Sequence, residues 1–163
     1  MTQGAISHRD SLGNDGRTEA GDVQVMSAGT GIVHAEWNHE AEKTKLFQIW
    51  ILPDARGGQP SWGTRPFPRS DRAGRFVALA SGKDGDGDAL PIRADARVAG
   101  AAIATGETVE YTLEPGRFAY LVAARGEIAV NGVAARTRDG VAVSGESLLR
   151  VTATSDAEVV LVE

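Results

Sequence analysis

The chain has no cysteine, which excludes disulfides, thiolate metal sites and cysteine nucleophiles together. Histidine is scarce: His8, His34 and His39 are the only three, and none follows. The long segment after His39 therefore cannot build a histidine-based metal site. No apolar run is long enough to cross a bilayer as a helix. The opening residues, MTQGAISHRDSLGND, lack the basic-then-apolar plan of a secretory leader, so a cytoplasmic location is the default expectation. Basic charge is also short. Lys and Arg number 17 against 22 Asp and Glu, a net charge of -5, which argues against a phosphate-binding surface and direct nucleic-acid binding. No phosphate loop, dinucleotide fingerprint or Ser-His-Asp set is present.

What remains is ordinary in bulk and distinctive in pattern. Apolar residues make up 42% and charged residues 24% of 163, as in a soluble globular protein of one domain or two small ones. Twenty glycines against 6 prolines point to many tight turns. GDVQVM, 21–26, alternates as a half-buried strand does, and the stretch before it, from His8 to Asp22, carries the punctuation of a loop or hairpin. KTKLFQIWIL, 43–52, alternates and then turns continuously apolar, which predicts a strand buried on both faces or one wall of a barrel. Residues 53–74 hold four of the prolines and no periodicity, and read as an interdomain connection.

From residue 75 onward strand follows strand: 75–81, 90–103, 107–113, 117–130, 140–145, 148–154 and 157–163. Asn131-Gly132 is the strongest hairpin signal among the turns between them. No segment reads as a helix. The pattern predicts an all-β sandwich or barrel fold, in which 75–163 has enough strands to close a small barrel without histidine ligands, while 1–52 either leans on it or is the tail of a domain that starts upstream.

The chemistry gathers in GTGIVHAEWNHE, 29–40. In an extended chain His34 and Glu36 point to one face, and an imidazole with a carboxylate can ligate one divalent ion if one or two more donors join them. The same pair also reads as a solvated surface pair. His39 falls on the opposite face. His8, among charged turn residues, reads as structural rather than ligating. The carboxylates at 84, 86 and 88 resemble the start of a calcium loop, but Asp95 stands where the bidentate glutamate should be. That segment is expected to be a solvated hairpin tip.

The run SHRDSLGNDGRTEAGDVQVMSAGTGIVHAEWN closely resembles the later half of the N-terminal cupin of the pirin family, which includes bacterial quercetinase-like proteins. The resemblance continues through LFQIWILP, GDGDALPIRADARV and LEPGRFAYLVAARGEIAVNG, and GTGIVHAEWN fits the second cupin motif with Gly29 in place of the usual proline. It implies a bicupin of jelly-roll barrels (double-stranded β-helices), the N-terminal barrel incomplete, with 1–52, 53–74 and 75–163 as partial cupin, connection and second cupin. It further implies a mononuclear divalent metal held by three histidines and a glutamate. His34 and Glu36 map onto two of those ligands. Iron is the first expectation for the metal, with nickel, zinc, cobalt or manganese as alternatives. The other two ligands belong to a His-x-His motif that would precede Gly4, so Met1 is expected to be an internal methionine of a longer frame, or the chain a fragment.

Three functions follow from the resemblance. One is a metal-dependent dioxygenase acting on a small aromatic, flavonol-like substrate, with Glu36 as the catalytic group that accepts the substrate's hydroxyl proton. Another is a non-enzymatic, redox-responsive partner of transcription factors or metabolic enzymes, acting through protein partners. The third is an inactive remnant folded around its C-terminal cupin. Exposed barrel edges would favour self-association.

Overall fold

The computed structural model of the chain describes all residues from Met1 to Glu163. The chain forms two units: Met1–Pro68 together with Ala80–Asp95, and Arg69–Leu79 together with Ala96–Glu163.

The first unit is built on five strands, β1 (Ala5–Asp10), β2 (Asp15–Glu19), β3 (Asp22–Ser27), β4 (His34–Trp37) and β5 (Ser61–Pro66). They form a three-stranded sheet in the order β2-β1-β4 and a two-stranded sheet of β3 and β5, all pairs antiparallel. The stretch expected as a loop or hairpin is a hairpin whose arms are β1 and β2. In β1 the alternation is clear: His8 and Asp10 are buried while Arg9 between them is exposed. The turn is closed by the Asp10 carboxylate, which accepts hydrogen bonds from the backbone N–H groups of Leu12 and Asn14 at 2.9 and 3.1 Å. Such side-chain capping is what Asp supplies at tight turns.

Two expectations for this unit change. Residues 43–52 are not a strand: Lys45 bridges to Gln3, and Leu46–Leu52 pair with nothing. The apolar pattern is that of a strand, but a strand needs a neighbour for its backbone groups, and no strand of the chain runs beside it. Trp50 and Leu52 are left 88% and 89% exposed. Conversely, 53–74 contains regular structure. Ser61–Pro66 is β5, in register with β3 from Asp22↔Pro66 to Ser27↔Ser61, and Arg69–Arg72 is a turn of 3-10 helix. Prolines at 60, 66 and 68 sit at or beyond the strand's ends, where a missing N–H costs little.

Strand β6 (Val77–Ser81) starts in the second unit and ends in the first, where Ala80 and Ser81 pair in parallel with β7 (Leu90–Pro91). The second unit continues with β8 (Arg97–Ile103), β9 (Thr108–Thr112), β10 (Ala119–Arg125), β11 (Ile128–Val130), β12 (Val133–Ala135), β13 (Gly140–Val143), β14 (Leu148–Ala153) and β15 (Ala157–Val162). Two sheets result, ordered β13-β10-β15-β8-β6 and β12-β11-β14-β9, with the pairs from β13 to β8 and all pairs of the second sheet antiparallel. Alternate residues of both, Leu121, Ala123, Leu149, Val151, Val159 and Leu161 among them, are fully buried in one core. This is the expected all-β architecture, with no α-helix.

Asn131-Gly132 makes the expected two-residue hairpin turn, with φ of 46° and 86° and Val130 paired to Val133. Two long predicted strands are each split. The 90–103 stretch divides into β7 and β8, with the chain between them passing over Gly82, where a Cβ would stand 1.9 Å from the Ala94 carbonyl oxygen. The 117–130 stretch divides at Gly126, whose φ is 77°. No helix is long and apolar enough to cross a membrane.

Candidate metal centre

The face of the β2-β1-β4 sheet that carries the chemistry follows from register. His8 pairs with Gly16 on one side and with Glu36 on the other, and Asp10 pairs with His34. Because side chains alternate, His8, Asp10, Gly16, Thr18, His34 and Glu36 share one face. In the β3–β5 sheet Gln24 pairs with Thr64 and Met26 with Trp62, so Gln24, Thr64 and Trp62 likewise share a face. Gln24 and Trp62 both reach the metal-type side chains.

His8, His34 and Glu36 converge. One donor atom from each lies within 4.8 Å of the other two. His8 Nδ1 stands 3.6 Å from Glu36 Oε1, and the two imidazole centroids are 5.5 Å apart. Ligand atoms around one ion with bonds of about 2.0–2.2 Å stand roughly 3–4 Å apart, so small side-chain rotations would bring all three onto one centre. The donor chemistry fits as well, since imidazole and carboxylate suit zinc, iron, nickel and manganese. His8 itself is buried at 1% exposure, and its Nδ1 has no hydrogen-bond partner. A buried nitrogen left unpartnered costs free energy unless something binds it. His34 is exposed and Glu36 half-buried, so the cluster is open on the His34 side.

Two of the three donors, Glu36 and His8, are held from behind. Gln24 donates through Nε2 to Glu36 Oε1, while its own Oε1 accepts from Thr18 Oγ1 at 3.1 Å. His8 Nε2 lies 3.1 Å from Asp10 Oδ2, and that oxygen also accepts from Asn14 Nδ2 at 2.9 Å. Burial alone would raise the Asp10 carboxyl, but the hydrogen bonds from Asn14, His8 and Leu12 outweigh it and hold its pKa at about 2. The Trp62 indole stacks on the His8 ring, centroids 4.7 Å apart and planes 9° from parallel.

The other candidates do not join this cluster. His39 stacks on Trp37 at 6.0 Å in the exposed chain just after β4. In the 83–90 tip Asp86 accepts from Ser81 Oγ and Asp88 pairs with Arg65 at 3.2 Å, so the carboxylates there have separate partners.

The family profile described as Pirin matches residues 1–51, and the one described as Quercetinase C-terminal cupin domain matches 78–163. A protein of Pseudomonas aeruginosa named for quercetin 2,3-dioxygenase is 65% identical over 163 residues, all of this chain and 70% of the relative. The chain belongs to the pirin family. The quercetin 2,3-dioxygenase of Escherichia coli K12 is 33% identical across 99% of this chain and 68% of its own length. The crystal structure of the bacterial pirin YhhW of Escherichia coli in complex with nickel(II) superimposes with a TM-score of 0.89 at 34% identity, covering 98% of this chain and 68% of that one. The cupin-type fold is therefore that of a pirin, and the nickel complex of that relative agrees with a divalent metal for the donor set here.

Reading the pirin sequence residue by residue paired His34 with Glu36 and set His8 aside, and the structure brings all three together. His8, Asp10, Gln24 and Trp62 are what that reading missed. A signal for two of them was present: Ile6, His8 and Asp10 repeat with a period of two, which puts His8 and Asp10 on one face once the turn at 11–14 is tight enough for strands to start at Ala5 and Asp15. Gln24 and Trp62 come from other strands and leave no local trace.

Proposed function

We propose that the chain works as a metal-dependent dioxygenase of the quercetinase type, in which His34 and Glu36 ligate a divalent ion and the nearby His8 offers a third donor, its Nδ1. The observation that carries this reading is the convergence of two imidazoles and a carboxylate around an unpartnered, buried Nδ1. Relatives named quercetin 2,3-dioxygenase support a flavonol-like substrate. Iron is the first candidate for the metal, with nickel, zinc, cobalt or manganese as alternatives, and the nickel complex of a pirin supports a divalent ion. Met1–Pro68 with Ala80–Asp95 is proposed as the metal-bearing part of the N-terminal cupin, in place of 1–52 alone, and Arg69–Leu79 with Ala96–Glu163 as a cupin without metal ligands.

A divalent ion in such a set supplies Lewis-acid polarisation of a substrate oxygen and, where the metal is redox-active, electron transfer. The chain's own residues set the rest. Glu36 has one oxygen on Gln24, which fixes the carboxylate plane and leaves its second oxygen free to accept a phenolic proton. Exposure of His34 keeps a path open for a planar substrate, while stacking by Trp62 prevents the His8 ring from turning away. The test is oxygen uptake and loss of flavonol absorbance when the iron- or nickel-loaded chain meets quercetin. Activity should vanish in His34→Ala and Glu36→Gln. Turnover that survives both substitutions would sink this reading.

A second reading, association with a protein partner or with a second copy, is favoured by one observation. Leu46–Leu52 is apolar, unpaired and exposed at Trp50 and Leu52, as association surfaces are. Light scattering after size-exclusion chromatography tests the self-association arm. Oligomers that dissolve to monomers in Trp50→Ser/Leu52→Ser would support it, and a wild-type monomer would contradict it.

A further inference from the structure

We infer that Leu46–Leu52 pairs with its own copy: two chains meet as antiparallel strands about Ile49, on the edge that faces away from Gln3. This rests on the association reading of the segment and names both the partner, a second copy, and the register.

The segment has what a strand needs except a neighbour. It takes no turn or bend, and none of its backbone N–H or C=O groups is hydrogen-bonded within the chain. Five of the 12 exposed large apolar side chains stand in it, so unpaired backbone and uncovered apolar surface coincide. Its start fixes which edge is open. Lys45 and Gln3 exchange backbone hydrogen bonds of 3.0 and 3.2 Å. In an antiparallel ladder a residue's N–H and C=O point to one side, and the side alternates along the strand. Lys45 uses the Gln3 side, so Leu46, Gln48, Trp50 and Leu52 present their groups on the other, where nothing pairs with them.

A second copy fits that edge because the sequence is self-complementary. Under two-fold symmetry about Ile49, Leu46 meets the partner's Leu52, Phe47 meets the partner's Ile51, and Gln48 meets the partner's Trp50. Gln48 and Trp50 then carry ladder bonds. The two Ile49 residues oppose each other without hydrogen bonds, their Cα atoms about 4.5 Å apart. The flanking charges agree with this direction. Exposed Lys43 and Lys45 lead into the segment and exposed Asp54 follows it. Antiparallel pairing sets these lysines beside the partner's Asp54, whereas parallel pairing would set like charges together. A two-fold contact is closed, so it gives a dimer rather than a filament.

The chain has no cysteine, so introduced cysteines read the register. Opposed Cα atoms about 4.5 Å apart lie within the disulfide range of about 4.4–6.8 Å. The two Leu52 positions would stand about 20 Å apart along the ladder. Light scattering should give a wild-type dimer, and mild oxidation should link Ile49→Cys at least about tenfold faster than Leu52→Cys. Should Ile49→Cys misfold, mixed Leu46→Cys and Leu52→Cys chains serve instead: they should link to each other and neither to itself. A dimer in which Leu52→Cys links as fast as Ile49→Cys overturns the inference and leaves the association reading standing. So does a dimer in which neither Ile49→Cys nor the mixed pair links. A wild-type monomer overturns the second-copy association itself, which separates the two failures.

Discussion

Gly16→Ala tests how the site is packed. Gly16 lies directly opposite His8 in the β1–β2 ladder, and the Trp62 indole occupies the space a side chain at 16 would fill. A Cβ added there would stand 2.3 Å from Trp62 Cη2, with Cζ2 and Cζ3 at 3.1 and 3.2 Å. Carbon atoms rest at about 3.5 Å or more, so the indole must retreat by roughly 1 Å. It cannot do so without loosening its stack on His8. Overpacking of this kind costs about 1–3 kcal/mol, and a disturbed ring pair up to about 1 kcal/mol. Alanine returns about 0.5–1 kcal/mol of strand preference over glycine.

The net expectation is a loss of about 1–2 kcal/mol, with nickel affinity reduced by about tenfold because the His8 ring is no longer held. Urea unfolding followed by tryptophan fluorescence reads the first, and calorimetry the second. Combining Gly16→Ala with Trp62→Leu should recover part of the loss, since the two positions are in contact. A Gly16→Ala chain as stable as wild type, with unchanged nickel affinity, would refute the packing argument.

Three further outcomes are expected. Leu121→Ala, at a fully buried site in the second unit, should cost about 2–5 kcal/mol by urea denaturation, and a cost well under about 1 kcal/mol would mean this core is not close-packed. Burial, with Glu163 nearby, pushes the Tyr111 hydroxyl up to about 12 despite the hydrogen bond from Arg97. Its unfolded form ionises near 10.0, so stability should be unaffected by this group below that pH and should fall as pH rises from there toward about 12; tyrosinate absorbance in a Tyr120→Phe background, rising already near the ordinary pH, would contradict it. Gly126→Ala combines a φ of 77° with a Cβ 2.3 Å from the Asp156 carbonyl oxygen, and should lower thermal stability by more than about 1 kcal/mol; a neutral substitution would show that the β10–β11 turn relaxes freely.

How much of this was readable from the residues differs by region. The second unit was legible because its strands alternate and its turns carry Asn-Gly and Pro-Gly pairs, even though most of its strands pair with partners distant in sequence, β8 with β15 and β9 with β14. Only the breaks at Gly126 and around Gly82 escaped notice, since both depend on backbone approach that sequence does not display. The first unit misled in both directions. Leu46–Leu52 has a strand's pattern and no partner, and a local pattern cannot report whether a neighbour exists. Ser61–Pro66 has a partner, β3, but its prolines hid it. At the site, spacing placed His34 and Glu36 on one face but left them readable as a solvated pair, and it was the resemblance to pirins that made them ligands. His8 was set aside because charged neighbours suggested a solvated turn, whereas one of those neighbours, Asp10, is what anchors it.

The central claim, that His8, His34 and Glu36 together hold a divalent ion, is tested most directly by metal analysis of the purified chain after loading with iron or nickel and removal of free ion. About one ion per chain is expected in the wild type, with binding lost in His34→Ala and weakened in His8→Ala. A wild type that retains no metal, or a His34→Ala chain that retains as much as wild type, would contradict it.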